Sequence, residues 1–197
     1  MINKRQLSQS VFVLENAYSP EECRDLIAQS ETHAYHAAPV AQVFILPEIR
    51  NNTRVMFDDP IQAAGIFERI RSHLPFEVEP GWQLHSVNER IRFYRYDVGE
   101  RFSWHCDAVF YRSLDEWSWF TLMIYLNDDF TGGETSFLDR DQPSGVLRVV
   151  PKTGTVLLFR HDEPLRHTGE TVTQGRKYVL RTDVMYAQKS TRSASRP

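Results

Sequence analysis

Apolar and polar positions follow two different rhythms along this chain. Up to about residue 73 the apolar residues recur at helical spacing. Ser19-Pro20-Glu21-Glu22 has the form of a helix start, with Ser as N-cap, Pro at the first helical position and acids in the first turn. The pattern predicts a helix to about Glu31 that buries Cys23, Leu26 and Ile27. Asp59-Pro60 repeats the device, and Ile61, Ala64, Ile66, Phe67 and Ile70 carry a second helix to Ser72, with Pro75 beyond it. Ser10–Leu14 reads as a short strand. From Trp82 the period shortens. Leu84–Tyr96, Trp119–Leu126, Val146–Val150, Thr155–Phe159 and Lys177–Tyr186 are rich in β-branched and aromatic residues, and Gly-, Pro- and Asn-containing turns separate them. Many strands joined by short turns predict a sandwich or barrel, mainly β with flanking helices. One domain over 1–187 is expected, with helices within about 19–73, a β core over about 82–187 and a polar tail at 188–197.

Two places in this pattern invite chemistry. In Gly175-Arg-Lys-Tyr-Val-Leu-Arg-Thr-Asp-Val-Met-Tyr186, strand alternation puts Lys177, Val179, Arg181 and Asp183 on one face. That face either lines a polar pocket or lies against solvent with Arg181 paired to Asp183. In His105-Cys106-Asp107, positions i and i+2 of a strand turn the imidazole and the carboxylate to the same side and the thiol away. His167 is the leading third ligand. Two imidazoles and a carboxylate leave open positions on an octahedral ion, which suits non-haem Fe(II). A His-x-Asp triplet arises easily by chance, and a lone His in a sheet is often structural. His161-Asp162-Glu163 is a weaker rival beside Pro164.

Composition narrows the class. The 197 residues, 41% hydrophobic and 25% charged, are those of an ordinary globular domain. A net charge of -3 argues against binding nucleic acid by bulk charge. No apolar run approaches the ~18 residues of a membrane span, and the N-terminal stretch has no apolar segment of the signal-peptide kind. Two cysteines give no disulfide framework and suit a reducing compartment, so a cytoplasmic location is expected. Basic residues are 19 Arg against 4 Lys, which singles out any Lys at a special position.

An ordered series of motifs then carries a resemblance. The run Arg92-Phe-Tyr-Arg-Tyr-Asp-Val-Gly-Glu-Arg-Phe-Ser-Trp-His-Cys-Asp107 resembles the opening motif of 2-oxoglutarate/Fe(II) dioxygenases of the prolyl 4-hydroxylase type. Thr121–Asp128, Gly132-Gly-Glu-Thr-Ser-Phe137, Pro151–Phe159, His167-x-Gly169 and Gly175-x-Lys177-Tyr follow in the family's order. The resemblance spans about Asn88 to Tyr186. It implies a double-stranded β-helix, a cupin-like jelly-roll barrel, with Fe(II) held by His105, Asp107 and His167. It further implies Lys177 and Tyr96 on the far (C5) carboxylate of 2-oxoglutarate, with Arg181 as the rival for that role. The implied reaction consumes O2, releases succinate and CO2, and hydroxylates an unactivated C–H; ascorbate would support the iron. Asp107 argues for hydroxylation over halogenation, since related halogenases lack the acidic ligand. The implied substrate is a small molecule or a peptidyl residue, with proline foremost, and no nucleic acid or membrane partner is expected. Asn51-Asn-Thr-Arg54 resembles a stretch that precedes the barrel in some relatives.

Other readings compete. A non-catalytic jelly-roll protein would hold a metal or an anion without turnover. A zinc hydrolase on the same triad would need a general base, for which Glu134 is an undirected candidate. Phe110–Phe120, which follows the metal pair, is expected at the substrate entrance with Tyr111 or Arg112 selecting substrate, while Trp119 and Phe120 serve packing. Asn88, Arg90 and Arg92 are further candidates to reach the pocket. The sequence is silent on oligomeric state.

Overall fold

The computed structural model describes residues 1–40, 44–161 and 165–189. The tail from Ser190 onward and the Asp162-Glu163 half of the rival motif lie outside these residues. In chain order the elements are β1 (Asn3–Gln6), β2 (Val11–Glu15), α1 (Pro20–Glu31), β3 (His36–Ala37), β4 (Thr53–Asp58) and α2 (Pro60–Ile70). β5 (Glu77–Glu79), β6 (Trp82–Val87), β7 (Arg90–Tyr96), β8 (Phe102–His105), β9 (Glu116–Tyr125), β10 (Thr131–Gly132) and β11 (Thr135–Leu138) follow. β12 (Val146–Val149), β13 (Val156–Arg160), β14 (His167–Gly169), β15 (Val172–Gln174) and β16 (Lys177–Gln188) close the series.

Two antiparallel sheets form the body of the jelly roll, and β10 pairs with β15 as a short separate ribbon. The larger runs β1-β2-β13-β9-β16-β7-β4-β3, with β6 also on β16 and β5 on β6; the smaller runs β12-β11-β14-β8. Strands of the larger sheet are apolar on both faces because each face covers a different core. On β13, Val156 and Leu158 join the core under the helices, while Leu157 and Phe159 join the core between the sheets. β16 divides in the same way, with Leu180 and Val184 under the helices and Val179 toward the pocket.

α1 starts at the predicted N-cap. The Ser19 hydroxyl accepts from the Glu22 amide at 3.1 Å and Glu22 accepts from the Ser19 amide at 2.8 Å, a complete capping box. Cys23 is buried, and Leu26 and Ile27 are partly so. α2 buries Ala63, Ile66 and Ile70 instead of the predicted Ile61 and Ala64. Ile61, in the first turn, is 85% exposed, because the helix meets the sheet along the 63–66–70 stripe. The predicted single strand over Leu84–Tyr96 is two strands. Asn88 breaks it by accepting the Arg90 amide at 3.1 Å, a local turn that competes with the ladder. The first third of the chain also supplies strands to the larger sheet. β4 pairs with β7 along its whole length and so brings Arg54 opposite Tyr94.

Among the described residues no helix is long and apolar enough to cross a membrane.

Candidate functional site

β8 and β14 are neighbours in the smaller sheet, and their register sets His105 directly opposite His167. Asp107 lies two residues beyond His105, past the end of β8 rather than within a strand as expected. It still converges on the same point. One ligand atom from each of the three residues falls within 4.8 Å of the others. His105 Nε2 is 3.7 Å from Asp107 Oδ1, and His167 Nε2 is 3.7 Å from Asp107 Oδ2. The other ring nitrogens are occupied: Nδ1 of His105 lies 2.8 Å from the Ser103 carbonyl, and Nδ1 of His167 lies 3.0 Å from the Leu165 carbonyl. A carbonyl only accepts, so each Nδ1 carries a proton, and each Nε2 is the atom turned to the shared point. Burial, reinforced by His167, pushes the His105 pKa down to about 3, so that ring is neutral at ordinary pH. Burial opposes ionisation of Asp107, but Arg181, then the two histidines and the Thr121 hydroxyl, hold its carboxyl well below the usual range. Cys106 is exposed.

A directional chain of hydrogen bonds supports the carboxylate from behind. The Thr121 hydroxyl donates to Asp107 Oδ2 at 2.7 Å, so at its 2.7 Å contact with His161 Nε2 it must accept. His161 Nδ1 is then an acceptor for the Ser118 hydroxyl at 3.0 Å, and Ser118 in turn accepts the Phe110 amide at 2.8 Å. Each hydroxyl donates once, Thr121 accepts from Arg181 Nη2 at 3.4 Å as well, and the directions agree along the chain. His161, which the sequence offered as a rival ligand, orients Thr121 instead.

The His-Asp-His group opens into a cavity of about 310 Å³ floored by the larger sheet. Cross-strand register arranges the floor in rows: Tyr96 beside Lys177; Arg54, Tyr94, Val179 and Tyr125; then Met56, Arg92, Arg181 and Met123. The charged face of β16 therefore lines a pocket rather than a solvent edge. Lys177 is 2% exposed, and its ammonium donates to the Gly133 carbonyl at 2.6 Å, with the rings of Tyr96 and Tyr125 at 5.2 and 5.7 Å. Among the described residues no carboxylate pairs with it, and burial lowers its pKa to about 8. Arg181 is differently placed. Its Nη2 lies 3.1 Å from Asp107 and 3.4 Å from Asp183, whose other oxygen takes Arg92 Nη1 at 3.2 Å. Tyr96 is buried beside Lys177, and burial raises its phenol to about 12.

The remaining sequence candidates separate cleanly. Phe110 and Arg92 line the cavity. Asn88 reaches it only through a 3.4 Å bond to Asp183, and Arg90 is turned outward onto Asp58. Arg112 pairs with Glu116 and Glu89 instead of lining the cavity, and Tyr111 is 68% exposed. Trp119 and Phe120 pack in the core under the helices. Glu134 bears on the site only as a charge near Lys177. Arg50, Tyr94 and Thr121 also bear on the site and carry no motif of their own. Tyr94 was within reach, since alternation sets it on the face of Arg92 and Tyr96; Arg50, in a loop, gave no signal.

Residues 91–182 match the sequence profile of the 2OG-Fe(II) oxygenase superfamily. No curated protein matches the chain. Among solved structures, it superposes on the viral collagen prolyl hydroxylase of Paramecium Bursaria Chlorella virus-1, in its 2OG complex, with a TM-score of 0.60 at 20% identity, over 91% of this chain and 97% of that one. A Pseudomonas putida prolyl-4-hydroxylase gives 0.68 at 18% identity, over 91% and 93%. The Trichoplax adhaerens prolyl hydroxylase, in complex with a hypoxia inducible factor peptide fragment, gives 0.68 at 14% identity, over 96% and 89%. Residues 91–182, the part of the chain that matches the 2OG-Fe(II) oxygenase superfamily, hold the whole His-Asp-His group, and the chain has the fold of these prolyl hydroxylases.

Proposed function

We propose that the chain hydroxylates an unactivated C–H of a prolyl or small amino-acid-like substrate, with His105, Asp107 and His167 as the ligands of Fe(II). The observation that carries this reading is the pair of histidines whose Nδ1–H groups are committed to backbone carbonyls and whose Nε2 atoms face one carboxylate. The donor set is nitrogen and oxygen without thiolate, which suits Fe(II) at a site with open positions. Bound there with 2-oxoglutarate and O2, the iron supplies oxidative decarboxylation to succinate and CO2, the second oxygen atom going into the substrate C–H.

The protein's own share is positioning and exclusion of water. Lys177 holds the C5 carboxylate of 2-oxoglutarate: it is a buried cation that meets no carboxylate among the described residues, and Tyr96 lies beside it. Arg181 stays with Asp107 and Asp183 and keeps the ligand carboxylate ionised and oriented. A peptidyl substrate has support in the Trichoplax neighbour with its bound peptide fragment. A reducing, cytoplasmic setting fits the two free cysteines, Cys23 buried and Cys106 exposed.

The test is incubation with prolyl peptides and free amino acids under Fe(II), 2-oxoglutarate and O2, with products read by mass spectrometry. Gain of one oxygen atom, matched by one succinate, is the expected result. Product that forms with zinc and without O2 would make the site hydrolytic and end the proposal.

A further inference from the structure

The cavity holds more positive charge than this chemistry uses. Arg50, Arg54, Arg92, Lys177 and Arg181 line it, against the carboxylates of Asp107 and Asp183. Fe(II) and 2-oxoglutarate are opposite in charge and equal, so filling the site as proposed above leaves the surplus in place. The pairing locates it. Arg92 and Arg181 are matched by Asp183 and Asp107, and Lys177 is assigned to the cosubstrate. Arg50 and Arg54 remain.

Arg50 is the sharper of the two. It is 6% exposed, and among the described residues no carboxylate meets it. Nε donates to Asn52 at 2.8 Å and Nη1 reaches the Pro39 carbonyl at 3.4 Å, while Nη2 is buried with no partner. Its guanidinium lies between two aromatic rings, 4.5 Å from the centre of Tyr94 and 4.2 Å from that of Phe102. Phe102 in turn stacks on His105 at 3.4 Å. The cation is thus held in a fixed plane, one ring away from the metal group. A buried guanidinium without an anion carries an uncompensated desolvation penalty, and a planar fork pinned between rings accepts a planar carboxylate in its own plane. Two further observations describe the same field. Burial lowers the Arg54 pKa, with Arg50 and Arg92 adding to the effect and Tyr94 opposing it. At Tyr94, which touches Arg50, Arg54 and Arg181, burial opposes ionisation, but Arg50, Arg181 and Arg92 outweigh it and bring the phenol down to about 7.

We propose that Arg50, seconded by Arg54, is the docking point for a carboxylate of the hydroxylated substrate, which is therefore an acid and not an internal residue of a polypeptide. The inference rests on the oxygenase reading above and narrows its substrate class. The carboxylate belongs either to a free small acid or to a peptide C-terminus. The cavity of about 310 Å³, shared with 2-oxoglutarate, sits at the small end of ligand pockets and suits either source.

The test uses the full chain loaded with Mn(II), which does not turn over, and saturating 2-oxoglutarate, titrated with acetate or acetamide at constant ionic strength. Acetate should raise Tm saturably, by about 3–6 °C at ten times its Kd, and acetamide should not. In Arg50→Met the acetate response should disappear while 2-oxoglutarate, titrated separately, binds within threefold of wild type. The unliganded Arg50→Met protein should melt higher than wild type, since it loses an unpaired buried charge; a purely structural arginine would give the opposite. Should the Met variant fail to fold, Arg50→Lys keeps the charge without the fork and should weaken acetate about tenfold. N-acetyl-Gly-Gly separates the sources: a response equal to that of acetate assigns a C-terminus, and a response to acetate alone assigns a free acid. Absence of an acetate response in wild type, or its survival in both variants, overturns the proposal. Failure of 2-oxoglutarate to bind at all would instead overturn the oxygenase reading beneath it.

Discussion

Replacing Lys177 with Met tests the cosubstrate assignment and the energetics of a buried cation together. The side chain is 2% exposed, and Met matches its length, so the pocket keeps its shape. In the unliganded protein the ammonium has one hydrogen bond, to the Gly133 carbonyl, and no ion pair among the described residues. With 2-oxoglutarate bound it would face a carboxylate that has no water to turn to. Leaving that charge unpaired costs about 3–5 kcal/mol, roughly 150- to 4,000-fold in 2-oxoglutarate Kd. Stability should move the other way. The folded-state pKa of Lys177, about 8, lies below the ordinary 10.5. Below about pH 8 both folded and unfolded chains carry the proton, and the folded state bears the full desolvation penalty. Between about 8 and 10.5 only the unfolded chain binds it, so wild-type stability rises with pH through that window. Unliganded Lys177→Met should therefore melt above wild type, most clearly below pH 8, with the gap closing toward pH 10.5. Wild-type affinity for 2-oxoglutarate should fall above pH 8, as the free protein loses the ammonium that binds it. Calorimetric titration with Mn(II) present, beside thermal melts across pH, gives both readings. A Lys177→Met protein that binds 2-oxoglutarate within tenfold of wild type, while Arg181→Met loses more, would transfer the role to Arg181 and refute the reasoning.

Three further outcomes follow from other parts of the molecule. Thr121→Val removes the donor to Asp107 and leaves His161 Nε2–H without its acceptor, so metal affinity in an Mn(II) titration should weaken about 10–100-fold; unchanged affinity would mean that the hydrogen-bond chain does not orient the ligand. Gly154→Ala should lower Tm by at least ~4 °C, because φ is +78° and the added methyl would lie 2.0 Å from the Tyr18 carbonyl oxygen; a melting curve like that of wild type would show that the turn relaxes freely. Arg112→Ala should leave 2-oxoglutarate turnover and substrate dependence intact, since Arg112 is spent on Glu89 and Glu116; altered substrate KM would return it to the entrance.

What the sequence revealed and what it hid divide along physical lines. The α1 start, the charged face of β16 and the His105, Asp107 and His167 group were readable because each is a local pattern: a cap, a period of two, a triplet with a distant partner. The inward alternation of Lys177, Arg181 and Asp183 is set by β-strand geometry alone, and the structure buries Lys177 and Asp183 on that face. The break at Asn88 was hidden because a single side-chain-to-amide bond decides it. Ile61 misled because helical spacing says which residues align and not which stripe meets the sheet. β4 and Arg50 were invisible for a third reason. Their meaning comes from register, with Arg54 opposite Tyr94 and Arg50 between two rings from β7 and β8, and pairing between distant segments leaves no mark in either segment alone. His161 shows the same limit: its spacing suggested a ligand, and only the geometry of Thr121 made it a support.

The proposed iron site of His105, Asp107 and His167 consumes 2-oxoglutarate and O2. Its most direct test is succinate release under air with Fe(II), ascorbate and 2-oxoglutarate, measured for wild type and for Asp107→Ala, with an anaerobic control. Wild type should release succinate that requires both Fe(II) and O2, and Asp107→Ala none above background. Equal succinate from the two proteins would contradict the ligand assignment, and a wild type that binds Fe(II) and 2-oxoglutarate yet forms no succinate would make the pocket a binding site without turnover.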